Sequence, residues 1–397
     1  MGDQRNSGRH TAALDAARIA ALEVLKHNFN LETSPLPRTA GFGYPEPYTR
    51  DLMIAVLGVV STEDPVLLDS VGRVLEALAE NQSSRGHIPS LADEPDDRGE
   101  SDTTPLFLIG LAVYRRITGE HDFLEDAAKA AMDWLGYQSP GDRVIVAQQP
   151  TSDWRDEQWV LGYGLYVNTL VYGALSLLNR KKRARFLRQE LNRPVIERGH
   201  MEKREHEGLA LPNRPYYALW AYKVLFSDRF DLLGNCLAIL TGIASRQKAV
   251  AIVEWVERQC DVLQGRGQLK GVLPPVLFPY IAKGDSDWYG RYEKYNLPGT
   301  YHNGGIWPFV VGFYIAALVA VGNTALAAEK LAALTEMVGL SSRDGLAFGF
   351  NEWICALDGT PRGVDWQTWS AAMYLYAASC VEKGTTPIFD EMRKGIW

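Results

Sequence analysis

Apolar positions recur with helical spacing along the whole chain, and strand-like alternation is scarce. The i, i+3, i+4 pattern predicts helices over Ala12–His27, Asp51–Val60, Pro65–Glu80, Pro105–Thr118, Asp122–Leu135 and Gly164–Asn179. It continues over Pro215–Phe226, Asp231–Ile243, Gln247–Gln259, Ile306–Val321, Thr324–Val338 and Trp366–Val381. Ser61-Thr-Glu-Asp-Pro and Thr103-Thr-Pro are start signals ahead of two of these runs. The best strand candidate is Val144–Gln148. Helices so evenly spaced, joined alternately by short turns and by long Gly-, Pro-, Asp- and Trp-rich loops, predict stacked helical hairpins. No fixed-period repeat is present. The fold class expected is therefore all-α, a closed double ring or (α/α)6 barrel, with residues 1–397 forming one domain and 1–10 disordered. The long loops Pro35–Tyr48, Ser83–Asp102, Gln148–Gly162, Leu273–Gly305 and Ser341–Asp365 would gather at one end of such a barrel and wall a single pocket.

Composition narrows what that pocket holds. Hydrophobic residues make up 46% and charged residues 22% of 397, ordinary for a globular chain with a large core. The net charge of −7 argues against a phosphate backbone or an anionic membrane surface as main partner. A small neutral or weakly acidic sugar fits better. Eleven Trp and eighteen Tyr exceed what core filling needs, and many sit beside acidic or glycine-rich turns. Cys236, Cys260, Cys355 and Cys380 have no CxxC spacing and no His cluster beside them, so reduced buried thiols are expected rather than a zinc site or a disulfide framework. The N-terminal MGDQRNSGRHTAAL lacks the apolar region of a signal peptide, which predicts a cytoplasmic protein, with neither membrane nor nucleic acid as partner.

The candidate chemistry lies in the loops. Thr300–Pro308, TYHNGGIWP, crowds Tyr301, His302 and Trp307 around two glycines at a helix entry, where hydroxyl partners and a stacking face for a sugar ring would coincide. Packing of those aromatics into the core is the alternative. Acids set among aromatics occur in TSDWRDEQWV (Thr151–Val160) and FGFNEWICALDG (Phe348–Gly359). Glycosidic hydrolysis needs one carboxylic acid to protonate the departing oxygen and one carboxylate to act on water or on the anomeric carbon. An aromatic neighbour such as Trp154 desolvates an acid and favours its protonated form. Asp156 and Glu352 are the preferred pair, with Asp153 and Glu157 as competitors in the first loop. In YPEPYTRD, Tyr44, Arg50 and Asp51 are candidate sugar contacts, against the alternative of a salt-bridged helix cap. Asp102, directly ahead of an apolar helix, is a further candidate, while Asp96 and Asp97 belong to a solvated run that Arg98 could neutralise.

YHNGGIWP, then NEWICALDG and DWQTWSAAMYLYA, resemble the C-terminal half of the family 100 glycoside hydrolases, the neutral and alkaline invertases, and more distantly family 63. DWRDEQWVLGYGLYVNTLVYGAL resembles their WMD-type acid loop with its following helix, and Arg229–Ser245 another of their helices, so the likeness runs from about Tyr44 to about Ala378. The resemblance implies an (α/α)6 barrel and an inverting glycosidase with no metal and no organic cofactor. It places the general acid on Asp156 and the general base on Glu352. Asp51, Asp102, His302, Trp307, Gln367 and Trp369 become substrate contacts. After the acid, the RRMG-type sequence and Pro-x-Glu-x-Gln string of the invertases are replaced here by Glu157-Gln-Trp and Gly164-Leu-Tyr-Val-Asn168. Sucrose is favoured narrowly over glucosylglycerate, mannosylglycerate or another small α-glucoside. Two other classes remain: a sugar 2-epimerase or isomerase, which would need two pocket histidines such as His302 and His87, and a non-catalytic binding toroid. Some relatives associate, so a homo-oligomer is possible.

Overall fold

Helices with no charged residue on any face are buried all round, whereas helices with one apolar stripe lie against them. The computed structural model describes residues 2–97, 99–140, 145–196 and 208–397, with side chains from residue 11 onward. In chain order the helices are α1 (Gly2–Asn28), α2 (Thr49–Thr62), α3 (Pro65–Glu80), α4 (Thr103–Thr118), α5 (Glu125–Tyr137), α6 (Leu165–Leu177) and α7 (Lys181–Leu191). They continue with α8 (Leu232–Leu240), α9 (Arg246–Gly265), the single turn α10 (Tyr292–Tyr295), α11 (Pro308–Ala320), α12 (Thr324–Val338), α13 (Thr368–Lys383) and α14 (Phe389–Arg393). Helices α2, α4, α6, α8, α11 and α13 pack side by side in that order, and α13 returns to α2, closing a ring. Outside it lie α1, α3, α5, α7, α9 and α12. This is the (α/α)6 barrel expected from the hairpin pattern.

The inner helices earn their place by composition. In α11, PFVVGFYIAALVA, every residue from Pro308 to Val319 is buried, and α8, LLGNCLAIL, is buried throughout. The outer α3 buries Leu67, Val71, Val74, Leu75 and Leu78 on one face and starts from Asp64, whose side chain accepts the Val66 N–H at 3.0 Å. All four cysteines are free and buried. No described helix is long and apolar enough to cross a membrane.

Close approach of inner helices depends on small residues. A methyl group on Gly58 of α2 would overlap the Ala372 carbonyl of α13. Gly58→Ala should therefore lower the unfolding free energy by about 1–3 kcal/mol through overpacking, in spite of the better helix propensity of Ala. An unchanged or raised urea midpoint would contradict this packing.

Two expectations are corrected. Pro215–Phe226 is not a helix but a hairpin of β2 (Trp220–Tyr222) and β3 (Leu225–Ser227), to which β1 (Tyr163–Gly164) adds. Its aromatic residues Trp220, Tyr222 and Phe226 suit a pleated surface, and Lys223 turns the chain at φ 55°, outside any right-handed helix. Val144–Gln148 is not a strand in its described part, 145–148, because Asn168 takes both the N–H and the carbonyl of Val146 (2.8 and 2.9 Å) and leaves no ladder to form. Helix α1 begins at Gly2, inside the stretch 1–10 for which the sequence predicts disorder. Short pairs complete the strands: β4 (Phe230–Asp231) with β5 (Leu277–Phe278), and β6 (Trp353–Ile354) with β7 (Pro361–Arg362).

The long loops feed the N-termini of inner helices, as the hairpin argument requires. Arg50 and Asp51 open α2, Asp102 precedes α4, Asp231 precedes α8, Trp307 precedes α11, and Gln367 precedes α13. One end of the barrel is therefore built from helix starts, and the chain's own carboxylates, such as Asp51 and Asp231, occupy their partial positive charge.

Candidate active site

A pocket of about 130 Å³ opens at this end. Its wall contains Tyr44, Arg50, Asp51, Trp154, Asp156, Tyr301, His302, Trp307, Glu352, Gln367 and Trp369, which are eleven of the twelve residues singled out from the sequence, together with Thr39 and Tyr48. Tyr48 sits inside the YPEPYTRD segment, whereas nothing in the sequence around Thr39 marks it. The twelfth, Asp102, is corrected: it does not reach the wall but is fully buried behind it, where its Oδ2 accepts Arg50 Nε at 2.9 Å. The other side of the same guanidinium is bonded to Glu100. Arg50 is thus held by two carboxylates.

Aromatic rings form the floor. The Trp307 ring lies 5.3 Å from the rings of Trp154, Tyr301 and His302 and 5.8 Å from Trp369, and its Nε1 donates to the Tyr301 carbonyl at 3.1 Å. Several buried polar atoms of this wall have no hydrogen-bond partner among the described residues: His302 Nδ1, Trp154 Nε1, Trp369 Nε1 and Gln367 Oε1. Unpartnered buried donors and acceptors are costly, and their concentration in residues of one wall marks it as a place where packing has not been optimised for stability alone. The loops that present these groups hold non-glycine residues in the left-handed region, namely Thr151, Tyr301, Phe350 and Trp366 at φ 56°, 43°, 42° and 60°. Such strain of about 1–3 kcal/mol per residue concentrates at sites where surrounding structure enforces geometry.

Two carboxylates face the same space. Glu352 stands at the base of the β6–β7 hairpin, 7% exposed, and its Oε2 accepts the Val364 N–H at 3.3 Å. Gly363, at φ 70°, passes so close that any side chain there would collide with the Glu352 carboxylate. Burial pushes the Glu352 carboxyl up to about 7, against the Val364 hydrogen bond, and the charge of Asp156 adds to the rise. Asp156 is half-exposed, with 52% of its side chain open, and its pKa is raised, first by burial, while Arg50 opposes. Asp51 is also pushed up to about 7 by burial, with Arg50 opposing and Glu352 adding. Tyr44 at the rim is pushed up to about 12, chiefly because its phenol faces Glu352.

Their neighbours separate into distinct roles. Asp153 points away from the pocket into an ion pair with Arg155, which outweighs the effect of burial and lowers its pKa, so it cannot hold a proton near neutrality. Glu157 is paired with Arg291. His302 lies with Nδ1 3.9 Å from Asp156 and is kept neutral by burial and by Arg155. His87 is elsewhere, stacked 4.5 Å from Trp134 in a separate cleft of about 890 Å³ that contains neither Asp156 nor Glu352. Asp97 accepts backbone N–H groups of Ser90 and Leu91 in place of solvent, and Arg98 lies outside the described residues. Among the described residues no group of three or more His, Cys, Asp or Glu is arranged to hold a metal ion.

Comparison with known proteins bears on this geometry. The sequence profile described as alkaline and neutral invertase matches residues 167–384. Cytosolic invertase 1 of Oryza sativa subsp. japonica is 29% identical over 157 residues, 39% of this chain and 26% of that protein. The probable chloroplastic alkaline/neutral invertase A of Arabidopsis thaliana is 31% identical over 153 residues, 37% of this chain and 22% of the relative. The aligned stretch thus spans about a quarter of the length of these curated relatives. Among solved structures, the GH63 mannosylglycerate hydrolase from Thermus thermophilus in complex with Tris and D-glycerate superposes with a TM-score of 0.63 at 15% identity, covering 90% of this chain and 99% of that one. A bacterial glucoamylase complexed with acarbose gives 0.65 at 13% identity, covering 96% and 57%. At these identities the superpositions establish the shared fold.

Proposed function

Because the chain belongs to the alkaline and neutral invertase family, we propose that it hydrolyses a small, uncharged α-glycoside with inversion at the anomeric carbon, and that sucrose is the foremost substrate. The observation that carries this reading is that Asp156 and Glu352 share one aromatic-walled pocket. The barrel uses helices from both ends of the chain, and the reading takes it as a single catalytic domain.

In the reaction, the Asp156 carboxyl gives its proton to the glycosidic oxygen as the bond from that oxygen to the anomeric carbon breaks and the electron pair stays on oxygen. Glu352 takes a proton from a water whose oxygen bonds to the anomeric carbon from the opposite face. The products are the inverted sugar and the free alcohol. Asp156 is left ionised and Glu352 protonated, and exchange with solvent restores both. Asp51 and Gln367 are placed to bind ring hydroxyls, and Trp307 and Trp369 to pack against the ring.

Charge favours sucrose over glycerate glycosides. The cation in the described wall is Arg50, already bonded to Asp102 and Glu100, while Asp51, Asp156 and Glu352 all bring negative charge when ionised. An aglycone carboxylate would meet these charges without a free counter-ion, and like-charge juxtaposition costs several kcal/mol. An epimerase reading loses its second base, since among the described residues His302 is the one histidine of this wall.

A hydrolysis screen over sucrose, trehalose, glucosylglycerate and mannosylglycerate, with product anomers followed by NMR, tests the reading. Sucrose should release β-glucose first, with kcat/KM at least about tenfold above either glycerate glycoside, as the like-charge cost predicts. Release of the α-anomer would refute inversion, and a preference for the glycerates would refute the charge argument.

A further inference from the structure

The loop that carries Asp156 rests on a buried ion triad that the proposed chemistry leaves unexplained. Asp153, Arg155 and Asp231 are each no more than 1% exposed. Arg155 grips Asp153 three times: its backbone N–H donates to Oδ1 at 2.8 Å, its Nε to Oδ1 at 3.2 Å and its Nη2 to Oδ2 at 2.9 Å. On the far side its Nη1 lies 3.1 Å from Asp231 Oδ1. Gln148 Nε2 donates to Asp153 Oδ2 at 3.0 Å. Asp231 in turn accepts the Gly234 N–H at 3.2 Å, capping inner helix α8. Side chains of the loop therefore divide: Trp154 and Asp156 line the pocket, while Asp153 and Arg155 enter the barrel wall.

Stability alone does not explain the triad. Three buried charges carry a large desolvation cost, and well-packed neutral groups of similar volume commonly serve as well or better. What this arginine supplies is directionality, because a planar fork bonded to Asp153 through Nε and Nη2 has one orientation, which leaves Nη1 to pair with Asp231. The motif that this loop resembles is WMD-type, and this chain has Arg155 at the middle position.

We propose that Arg155 is the positioning residue of the general acid: through Asp153 and Asp231 it ties the backbone beside Asp156 to the start of α8 and aims the acid at the departing oxygen. The inference rests on the reading of Asp156 as acid. Arg155 also helps hold His302 neutral beside Asp156, so its loss would alter the surroundings of the acid as well as its place.

The experiment compares two leaving groups. Fluoride departs from α-D-glucosyl fluoride without needing a proton, whereas the alcohol of sucrose, or of whichever α-glycoside the screen returns, departs only with one. In Arg155→Met, kcat on the glycoside should fall about 100-fold, as an acid misplaced by an ångström would give, with KM within about threefold. On the fluoride kcat should stay within about threefold. Equal losses on both substrates would overturn the proposal by showing a general collapse of the pocket. The triple variant Asp153→Asn/Arg155→Met/Asp231→Asn removes all three charges and keeps a capping side chain on α8. It should recover the unfolding midpoint without recovering the glycoside rate, and if the rate returns with the midpoint the triad is only structural. This variant decides the matter alone should the single one fail to fold. Failure of the underlying reading looks different: Asp156→Asn would then cleave the glycoside at the unaltered rate.

Discussion

Glu352→Gln is expected to lower kcat by about 10³–10⁴-fold while leaving KM within a few-fold, since a general base is removed and the volume of the side chain is kept. Gln still accepts the Val364 N–H and still fits against Gly363, so the pocket should keep its shape. Burial raises this carboxyl from its ordinary 4.5 to about 7, and it must be ionised to take a proton from water. The base is therefore competent above pH 7 and lost below it, so kcat/KM should fall about tenfold per unit on the acid side of 7. An acid limb near 4.5 would remove Glu352 from that role. The same shift has a stability sign. With the folded pKa raised, the ionised form is penalised in the folded state: the penalty is absent below the unfolded pKa near 4.5 and complete above about 7. At pH 8 the Gln variant should be more stable than the unaltered protein, by about 2–3 kcal/mol, and at pH 4 the two should match. Urea unfolding at both values measures it.

That gain illustrates why the site could be found in the sequence while much of its support could not. Each pocket residue lies at the start of an inner helix or in the loop that feeds it, so YPEPYTRD, TYHNGGIWP, NEW and QTW each carry their share as a local signature. Inner helices such as Ile306–Val321 are legible because an uncharged run leaves no solvated face. The helix Lys181–Leu191 is illegible because KKRARFLRQEL hides the buried stripe of Ala184, Leu187 and Leu191 among charges. Pairings across the fold leave no local trace. The sequence makes Asp102 a helix-entry residue facing the mouth, and only packing brings Arg50 over it. Asp153 and Asp156 are equivalent in composition, and the distant Asp231, which draws Arg155 and Asp153 into the wall, is what separates them.

Asp156→Asn should give a loss comparable with that of Glu352→Gln on sucrose, about 10³–10⁴-fold in kcat, but with a different dependence on the leaving group. Burial already raises the proton affinity of Asp156, and Arg50 limits that rise. A sugar seated over its open face would strip away the water that half of the side chain still meets, and the neutral form would be favoured further. Asn can hydrogen-bond to the glycosidic oxygen but cannot release a proton to it. The alkaline limb of kcat, set by loss of the acid proton, should disappear in the variant. On α-D-glucosyl fluoride, Asp156→Asn should retain most of the unaltered rate, because fluoride leaves as the anion, whereas Glu352→Gln should remain slow, because water must still be activated. Two variants and two substrates thus assign the two roles by a crossing pattern. If Asp156→Asn is as damaging on the fluoride as on sucrose, Asp156 acts on something other than the leaving oxygen, and the order of acid and base across this pocket must be reversed or abandoned.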